Sequence, residues 1–162
     1  MTVEVRPATP ADVPQLNNMI LELAEFEKAV HEVSATESDL HKALFGGTSL
    51  FAHVIDAPDG NGLAAMAIWF LNYSTWDGTH GIYLEDLYVR EKYRGQGFGT
   101  ALLRTLAATC TERGYTRFQW WVLNWNTPAI DTYKKIGAIP MDEWTVYRLT
   151  GDALGDFAAG TN

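Results

Sequence analysis

Hydrophobic and polar residues alternate with two different periods along the chain, which predicts a mixture of helices and strands. From Thr9 to about Glu27, apolar residues recur at steps of three and four. Thr9 is a typical helix cap and Pro10 a typical first helical residue, so this segment is predicted to be an amphipathic helix. Shorter β-branched and aromatic runs read as strands. The clearest turn, at residues 58–62, separates two such runs and predicts a hairpin.

The order of these segments predicts an α+β fold in a single domain spanning residues 1–162. We expect a mixed central sheet of about six to seven strands, flanked by helices on both faces. The predicted strands cover residues 3–6, 49–56, 63–73, 80–89, 116–123 and 146–149. The predicted helices run from the Thr9 cap to about Glu27, from Thr36 to the stop at Gly46, and over residues 97–113, 129–136 and 152–159.

The charge and the cysteine content narrow the function classes. Against 20 acidic residues the chain has 12 Lys and Arg and a net charge of −8, which disfavours nucleic-acid binding and favours cationic small molecules. The one cysteine, Cys110, excludes an internal disulfide framework and favours a reducing, cytoplasmic location. The four histidines lack metal-ligand spacing, and neither a leader peptide nor a membrane span is expected.

A glycine cluster, R-G-Q-G-F-G at residues 94–99, lies between the predicted strand 80–89 and the helix that follows it. Free N–H groups at a helix start bind anions, so this junction is a candidate anion site. It lacks the spacing of a dinucleotide fingerprint and the Gly-Lys-Ser/Thr of a P-loop. A tight turn that needs glycine only for its positive φ is the alternative interpretation.

Two adjacent acids, Glu85 and Asp86, lie within the same predicted strand. Successive strand residues face opposite sides, so the two side chains cannot both point outward. A carboxylate on the inner side costs several kcal/mol, about 3 or more, unless it is paired or hydrated. The pattern fits either a structural hydrogen-bond partner or a cation site.

Several short segments together resemble the GNAT acetyltransferase superfamily. They are LAEFEK at 23–28, YSTW at 73–76, IYLEDLYV at 82–89, YRGQGFG at 93–99, WNTP at 125–128 and the Tyr133-Lys134 pair before Gly137. Within this superfamily they are most similar to the spermidine/spermine branch, and nearest to its thialysine acetyltransferase members. The similarity extends from Arg6 to about Leu154 and implies the GNAT fold.

The resemblance implies that acetyl-CoA is the acyl donor. It assigns Glu85 as the base that takes the ammonium proton, through a water, and Tyr133 as the acid that protonates the departing thiolate. The cofactor-binding positions carried over are Leu87, Tyr88, Val89, Arg94, Gly95, Gln96, Gly97, Phe98, Gly99, Thr100, Asn126 and Tyr133.

The resemblance also implies acidic residues that line a channel for an amine. The substrate-binding positions carried over are Phe26, Glu27, Glu85, Asp86 and Asp142. A solvated helix end and a solvated turn are the alternatives for Glu27 and Asp142. The acid-rich segment of the family after the first helix is diluted here, and the turn at Asp142 is one residue shorter. Both departures weaken the case for long polyamines.

These observations predict an N-acetyltransferase that moves an acetyl group from acetyl-CoA to a primary amine of a small cationic molecule, by direct attack in a ternary complex. Cys110, predicted to be buried, is a poor acyl carrier, and no metal is expected. The resemblance further implies a homodimer. The alternatives are a GNAT enzyme with another acceptor (a protein N-terminus, an amino acid or an antibiotic amine) and a non-catalytic CoA-binding regulatory module.

Overall fold

The computed structural model describes residues 2–161, and its central feature is a five-stranded mixed sheet. The strands are β1 (Arg6–Pro7), β2 (Phe51–Asp56), β3 (Leu63–Ser74), β4 (Thr79–Val89) and β5 (Arg117–Trp120). They lie side by side in chain order. Neighbours are antiparallel except for β4 and β5, which are parallel. The predicted mixed sheet is therefore confirmed.

Residues 2–161 contain five α-helices: α1 (Val13–Phe26), α2 (Glu37–Phe45), α3 (Phe98–Arg113), α4 (Thr127–Lys135) and α5 (Gly151–Ala159). Thr9 precedes a 3-10 turn, Pro10–Asp12, and α1 begins only at Val13, later than predicted, whereas Thr36 acts as the predicted cap. The Thr36 hydroxyl accepts a hydrogen bond from the Asp39 N–H at 3.2 Å, which caps the first turn of α2. Helix α3 ends at Gly114, which has a φ of +71°, the left-handed conformation that favours glycine.

One face of the sheet is covered by α1 and α2. The apolar stripe of α1, with Leu16 and Met19 fully buried, packs on alternate residues of β3, including Met66 and Ile68. Residues at every second position of a strand share a face, so this core lies on one side of β3. Tyr88 of β4, paired with Met66, belongs to the same cluster.

Helix α3 covers the opposite face. Its residues Leu102 and Leu106 are fully buried, and the helix contacts β2, β3, β4 and β5. Gly99 in its first turn lies against Val89, which pairs with Ala65, on the side of β3 that α1 does not cover. The prediction of helices on both faces is confirmed.

The extent of the sheet differs from the sequence prediction. It has five strands, not six to seven, and the predicted strand at residues 146–149 is wrong, because residues 138–150 contain neither helix nor strand. A run of strand-forming residues becomes a strand only where a neighbouring strand offers hydrogen bonds. The strand predicted at 116–123 is limited to Arg117–Trp120, the residues that pair with β4.

The chain divides into two compact units, Met1–Leu123 and Asn124–Asn162. The first contains the sheet and helices α1 to α3, and the second contains α4 and α5. The single domain expected from the sequence stays a prediction.

Lys28, just beyond the end of α1, has a φ of +61° and is the only non-glycine residue with positive φ among residues 2–161. The chain reverses there, and the N–H of Ala29 donates to the carbonyl of Ala24 at 2.8 Å. Helix ends of this type normally use glycine, because a side chain in this conformation costs about 1 kcal/mol or more.

We therefore expect Lys28→Gly to raise the free energy of unfolding by about 0.5–1 kcal/mol, since relief of strain exceeds the greater flexibility of glycine in the unfolded chain. Urea unfolding followed by circular dichroism measures the change. The matched control is Lys42→Gly within α2, which should destabilise by about 1 kcal/mol. Equal destabilisation by both substitutions would contradict the prediction.

Candidate active site

Strand β4 contains a β-bulge at Glu85. In the pairing with β3, Asp86 lies opposite Ile68 and Leu84 lies opposite Trp69, so Glu85 has no partner on β3. Leu84 and Asp86 would share a face in a regular strand, but here they lie on opposite faces, because their partners are consecutive residues. Asp86 thereby faces the side of Ile68, which α1 covers. The two acids do not both point outward, as the sequence predicts, since Glu85 is exposed and Asp86 is partly buried, but a bulge and not regular alternation sets their directions.

Asp86 is the carboxyl group that this arrangement perturbs. Burial, and next the negative charges of Glu85 and Glu27, raise its pKa to about 6. Glu85 itself is exposed. Three carboxyl groups close together, one of them largely buried, are the kind of group that a cation would stabilise. The structure thus brings together three of the five predicted substrate-binding residues.

The C-terminal end of α1 lies beside this acidic group and beside the glycine cluster. The Arg94 guanidinium carbon is 5.2 Å from the centre of the Phe26 ring and 5.8 Å from that of the Tyr88 ring. Partial burial raises the pKa of Glu27, the next residue after Phe26. The end of α1, predicted from the resemblance, therefore places Phe26 beside Arg94 of the glycine loop and Glu27 near Asp86.

Beyond Leu84, one edge of β4 has no pairing with β5. The β4–β5 ladder ends at the pair Leu84 and Trp120. Arg90 donates its N–H to the carbonyl of Ala64 at 3.0 Å, and antiparallel alternation then directs the backbone groups of Leu87 and Val89 away from β3. An extended ligand can hydrogen-bond to these backbone groups as an additional strand would.

The glycine cluster leads directly into α3. Gly97, with a φ of +81°, immediately precedes the first helical residue. Because glycine has no side chain, no side-chain hydrogen bond caps the first N–H groups of α3. The first N–H groups of this 16-residue helix thus point outward at its positive end. Gly95 and Gly97 have positive φ with no atom within 4 Å of an added Cβ, so glycine is needed there for conformation. The tight-turn interpretation is therefore confirmed at this loop, and the anion site stays a prediction.

Some of the predicted cofactor-binding residues have side chains that a ligand cannot reach. Phe98 is buried, and Tyr88 is buried within the α1 core cluster, so only their backbone groups are available to a ligand. Arg94 and Gln96 are exposed, and Thr100 is half-buried in the first turn of α3. The Arg94 Nε donates to the Val89 carbonyl at 3.0 Å, which connects the loop to the end of β4.

The buried thiol predicted for Cys110 is confirmed. Cys110 is 6% exposed, and burial raises the pKa of its thiol, which disfavours the thiolate that an acyl carrier needs. Among residues 2–161, no cluster of three or more His, Cys, Asp or Glu side chains is arranged to hold a metal ion. None of the helices described is long and apolar enough to cross a membrane.

The remaining predicted site residues belong to the second unit. Asn126 lies at the cap position of α4, where its carbonyl accepts from the Ile130 N–H at 3.1 Å. Tyr133 is half-buried in the same helix, and Asp142 is exposed in a turn after it. Asn126 is the N-cap residue of α4 and Tyr133 lies within this helix, so the two residues are separated by seven positions, or about two helical turns.

Sequence reasoning missed Arg90, which joins α1 to the end of β4. Its guanidinium donates to the Glu22 carboxylate at 3.1 Å, to Gln15 Oε1 at 2.9 Å and to the Leu63 carbonyl at 2.9 Å. These partners are far from Arg90 in the chain, and no local spacing indicates that they converge. The network holds the helix that carries Phe26 and Glu27 against the strand that carries Asp86.

Comparison with known proteins identifies the family. Residues 17–138 match the acetyltransferase (GNAT) family. The chain is 36% identical to mouse thialysine N-epsilon-acetyltransferase, over 97% of this chain and 98% of the relative. It is 31% identical to the L-ornithine N5-acetyltransferase of Arabidopsis thaliana, over 95% of this chain and 87% of the relative.

A solved structure has the same fold. It is an integron cassette protein from the mobile metagenome of V. cholerae, with a TM-score of 0.79 and 24% identity, covering 98% of each chain. The family match spans most of the chain and includes β4, the glycine cluster and all of α4. This chain therefore belongs to the GNAT family of acetyltransferases.

Proposed function

We propose that this protein transfers an acetyl group from acetyl-CoA to a primary amine of a small cationic molecule, such as a diamine or a thialysine-like amino acid. The observation that carries the proposal is that one strand joins an anion site to an acidic group. The free edge and glycine turn at the C-terminal end of β4 suit an extended thioester with a pyrophosphate, and Asp86, Glu85 and Glu27 suit an ammonium.

Acetyl-CoA fits the residues present. Its pyrophosphate would accept hydrogen bonds from the first N–H groups of α3, and its pantetheine arm would lie along Leu87 and Val89. When bound, it supplies the thioester whose carbonyl carbon the amine attacks. A backbone N–H on the free edge of β4 can stabilise the oxyanion that forms in this attack.

The acidic residues would bind the substrate's ammonium group and remove its proton. A free alkylammonium has a pKa of about 10, and only the neutral amine is a nucleophile. We assign Glu85 as the base, acting through a water, because it lies at the bulge where the strand leaves regular pairing. Asp86 and Glu27 then hold the cation. In the same proposal Tyr133 protonates the CoA thiolate and Asn126 binds the cofactor, two roles supported by the family motif.

The substrate class is supported by the activities that name two relatives, the acetylation of thialysine and of ornithine. Each of these molecules has a primary amine at the end of a chain and a second charged amino group. The small number of acids after α1 favours such short substrates over long polyamines. A homodimer in the cytoplasm is part of the proposal and is supported by the resemblance and the single buried cysteine.

A panel of amines tests the assignment. We expect acetyl-CoA-dependent thiol release with thialysine, ornithine and short diamines, with a higher kcat/KM for each than for spermine or a peptide N-terminus.

In the preferred reaction Glu85→Gln and Tyr133→Phe should each lower kcat by about 100-fold or more, while the Kd for CoA changes less than about twofold. Unchanged kcat in both variants would contradict the assigned roles, and a preference for a peptide would contradict the substrate class.

The raised pKa of Asp86 predicts a pH-dependent effect of its removal. Above pH 6 the folded protein keeps an unfavourable buried carboxylate, whereas the unfolded chain ionises freely above about pH 4. Asp86→Asn should therefore raise the free energy of unfolding at pH 8 by about 1–3 kcal/mol. This gain should shrink as the pH falls through 6 and vanish near pH 4, where Asp86 is neutral in both states.

Urea unfolding of both proteins between pH 4 and pH 8 measures this difference. Asp77→Asn is the control of opposite sign, because hydrogen bonding from Thr116 and the charge of Arg117 lower the pKa of Asp77. Its removal should destabilise at pH 8. A stability gain of Asp86→Asn that does not depend on pH would show that the carboxyl of Asp86 is not perturbed.

Substitutions at Gly99 and Gly97 test separately what the fold and the bound cofactor require of the glycine turn. An added Cβ at Gly99 would lie 3.7 Å from Val89 Cγ2, an ordinary contact, and alanine favours a helix, so Gly99→Ala should raise the Tm. If the cofactor phosphates approach this turn, the same methyl should raise the KM for acetyl-CoA by about tenfold. Gly97→Ala should lower both stability and affinity, because its φ is positive. An unchanged KM in Gly99→Ala would place the phosphates elsewhere.

A further inference from the structure

Tyr93 and Lys92, just before the glycine cluster, are both held by the carboxylate of Asp59. The Tyr93 hydroxyl donates to Asp59 Oδ1 at 2.8 Å, and the Lys92 ammonium forms an ion pair with Asp59 Oδ2. The Tyr93 ring is buried, so this residue is fixed at both its ring and its hydroxyl. Hydrogen bonding from Lys92, and next from Tyr93, holds the pKa of Asp59 well below its usual range.

Asp59 lies on a turn that is rigid in its own right. The turn joins β2 to β3 and is closed by the Ala57 N–H, which donates to the Gly62 carbonyl at 2.7 Å. Asp59 Oδ1 also accepts from the N–H of Asn61 at 3.1 Å, within the same turn. The carboxylate therefore connects the glycine loop to a fixed point on the sheet, 34 residues away in the chain from Tyr93.

The contacts of Tyr93 and Arg94 are the last that hold the loop before the glycines. Arg94 donates to the Val89 carbonyl, and an added Cβ at Gly95 or at Gly97 would meet no atom within 4 Å. The glycine backbone itself is flexible, and ordering it around a phosphate costs free energy. A loop whose entry is already fixed loses less entropy when the ligand binds.

We propose that Asp59 is a positioning residue for acetyl-CoA: it holds the entry of the glycine loop through Tyr93 and Lys92, so that the loop is ordered before the cofactor binds. This inference rests on the proposed function, since it concerns the same anion site. Asp59 acts through the loop and need not touch the ligand. Its loss should weaken cofactor binding and leave the chemical step unaffected.

A different role for the same contact predicts the opposite result. Lys92 is a cation near an anion site, and Asp59 neutralises it. If Asp59 only keeps Lys92 away from the phosphates, then removing the carboxylate would free the ammonium and tighten CoA binding. The direction of the change in affinity therefore distinguishes positioning from charge neutralisation.

The experiment compares wild type with Asp59→Ala, Tyr93→Phe and the double variant. Isothermal titration with CoA gives the Kd, steady-state kinetics give kcat and the KM for each substrate, and hydrogen exchange reports on residues 91–97. We expect Asp59→Ala to raise the Kd for CoA and the KM for acetyl-CoA about 5- to 20-fold, with kcat within about twofold. Tyr93→Phe should give a smaller increase. The double variant should have the same Kd for CoA as Asp59→Ala, because the two substitutions remove the same hydrogen bond.

Asp77→Asn is the matched control, since Asp77 is also a turn carboxylate with hydroxyl and cationic partners, Thr116 and Arg117. Its Kd for CoA should equal that of wild type. Faster exchange at residues 91–97 in Asp59→Ala, with the KM for the amine unchanged, would support positioning. Tighter CoA binding, an unchanged Kd, or a fall in kcat alone would overturn the proposal. If wild type itself does not bind CoA, the proposed function fails, and that result is separate from any result on Asp59.

Discussion

Strand β4 is hydrogen-bonded to β3 along nearly all its length but to β5 only as far as Leu84, and the rest of the site depends on this difference. Where the parallel pairing with β5 ends, the edge of β4 has backbone groups that are available to a ligand. The bulge at Glu85 occurs at the same place, so regular pairing is lost on both sides of the strand within two residues. The chain is thus locally irregular where the proposed chemistry takes place, as is common for bulges near active sites.

Two opposite electrostatic environments result at the two ends of this short segment. Toward Val89 the strand leads to the glycine turn and the positive end of α3, which suits an anion. At the bulge, Asp86 is held on the α1 side close to Glu85 and Glu27, which suits a cation. A strand rises about 3.3 Å per residue, so the few residues from Glu85 to Val89 span about 13 Å. Arg90, with its partners on α1 and β3, maintains the spacing between the two environments.

Much of the fold could be predicted from local signals. Caps and glycine stops determined the bounds of α2 and α3, because a helix ends where its own backbone groups find other partners or where the chain must reverse. The hairpin turn at residues 58–62 and the three strands β2 to β4 followed from turn residues and β-branched runs. The strand predicted at residues 146–149 failed, because strand formation needs a neighbour that the sequence cannot identify.

By itself the sequence determined the elements, the family and the chemical types at the site: glycines before a helix, adjacent acids in a strand and a tyrosine after the WNTP motif. Only the tertiary structure decided which acid is perturbed, since the bulge at Glu85 reverses the face of Asp86 and burial acts on that face. It also brought Asp59 to Tyr93 and Arg90 to Glu22. Contacts of this kind join residues that are 34 and 68 positions apart, and no local pattern records them because they form only when the chain folds.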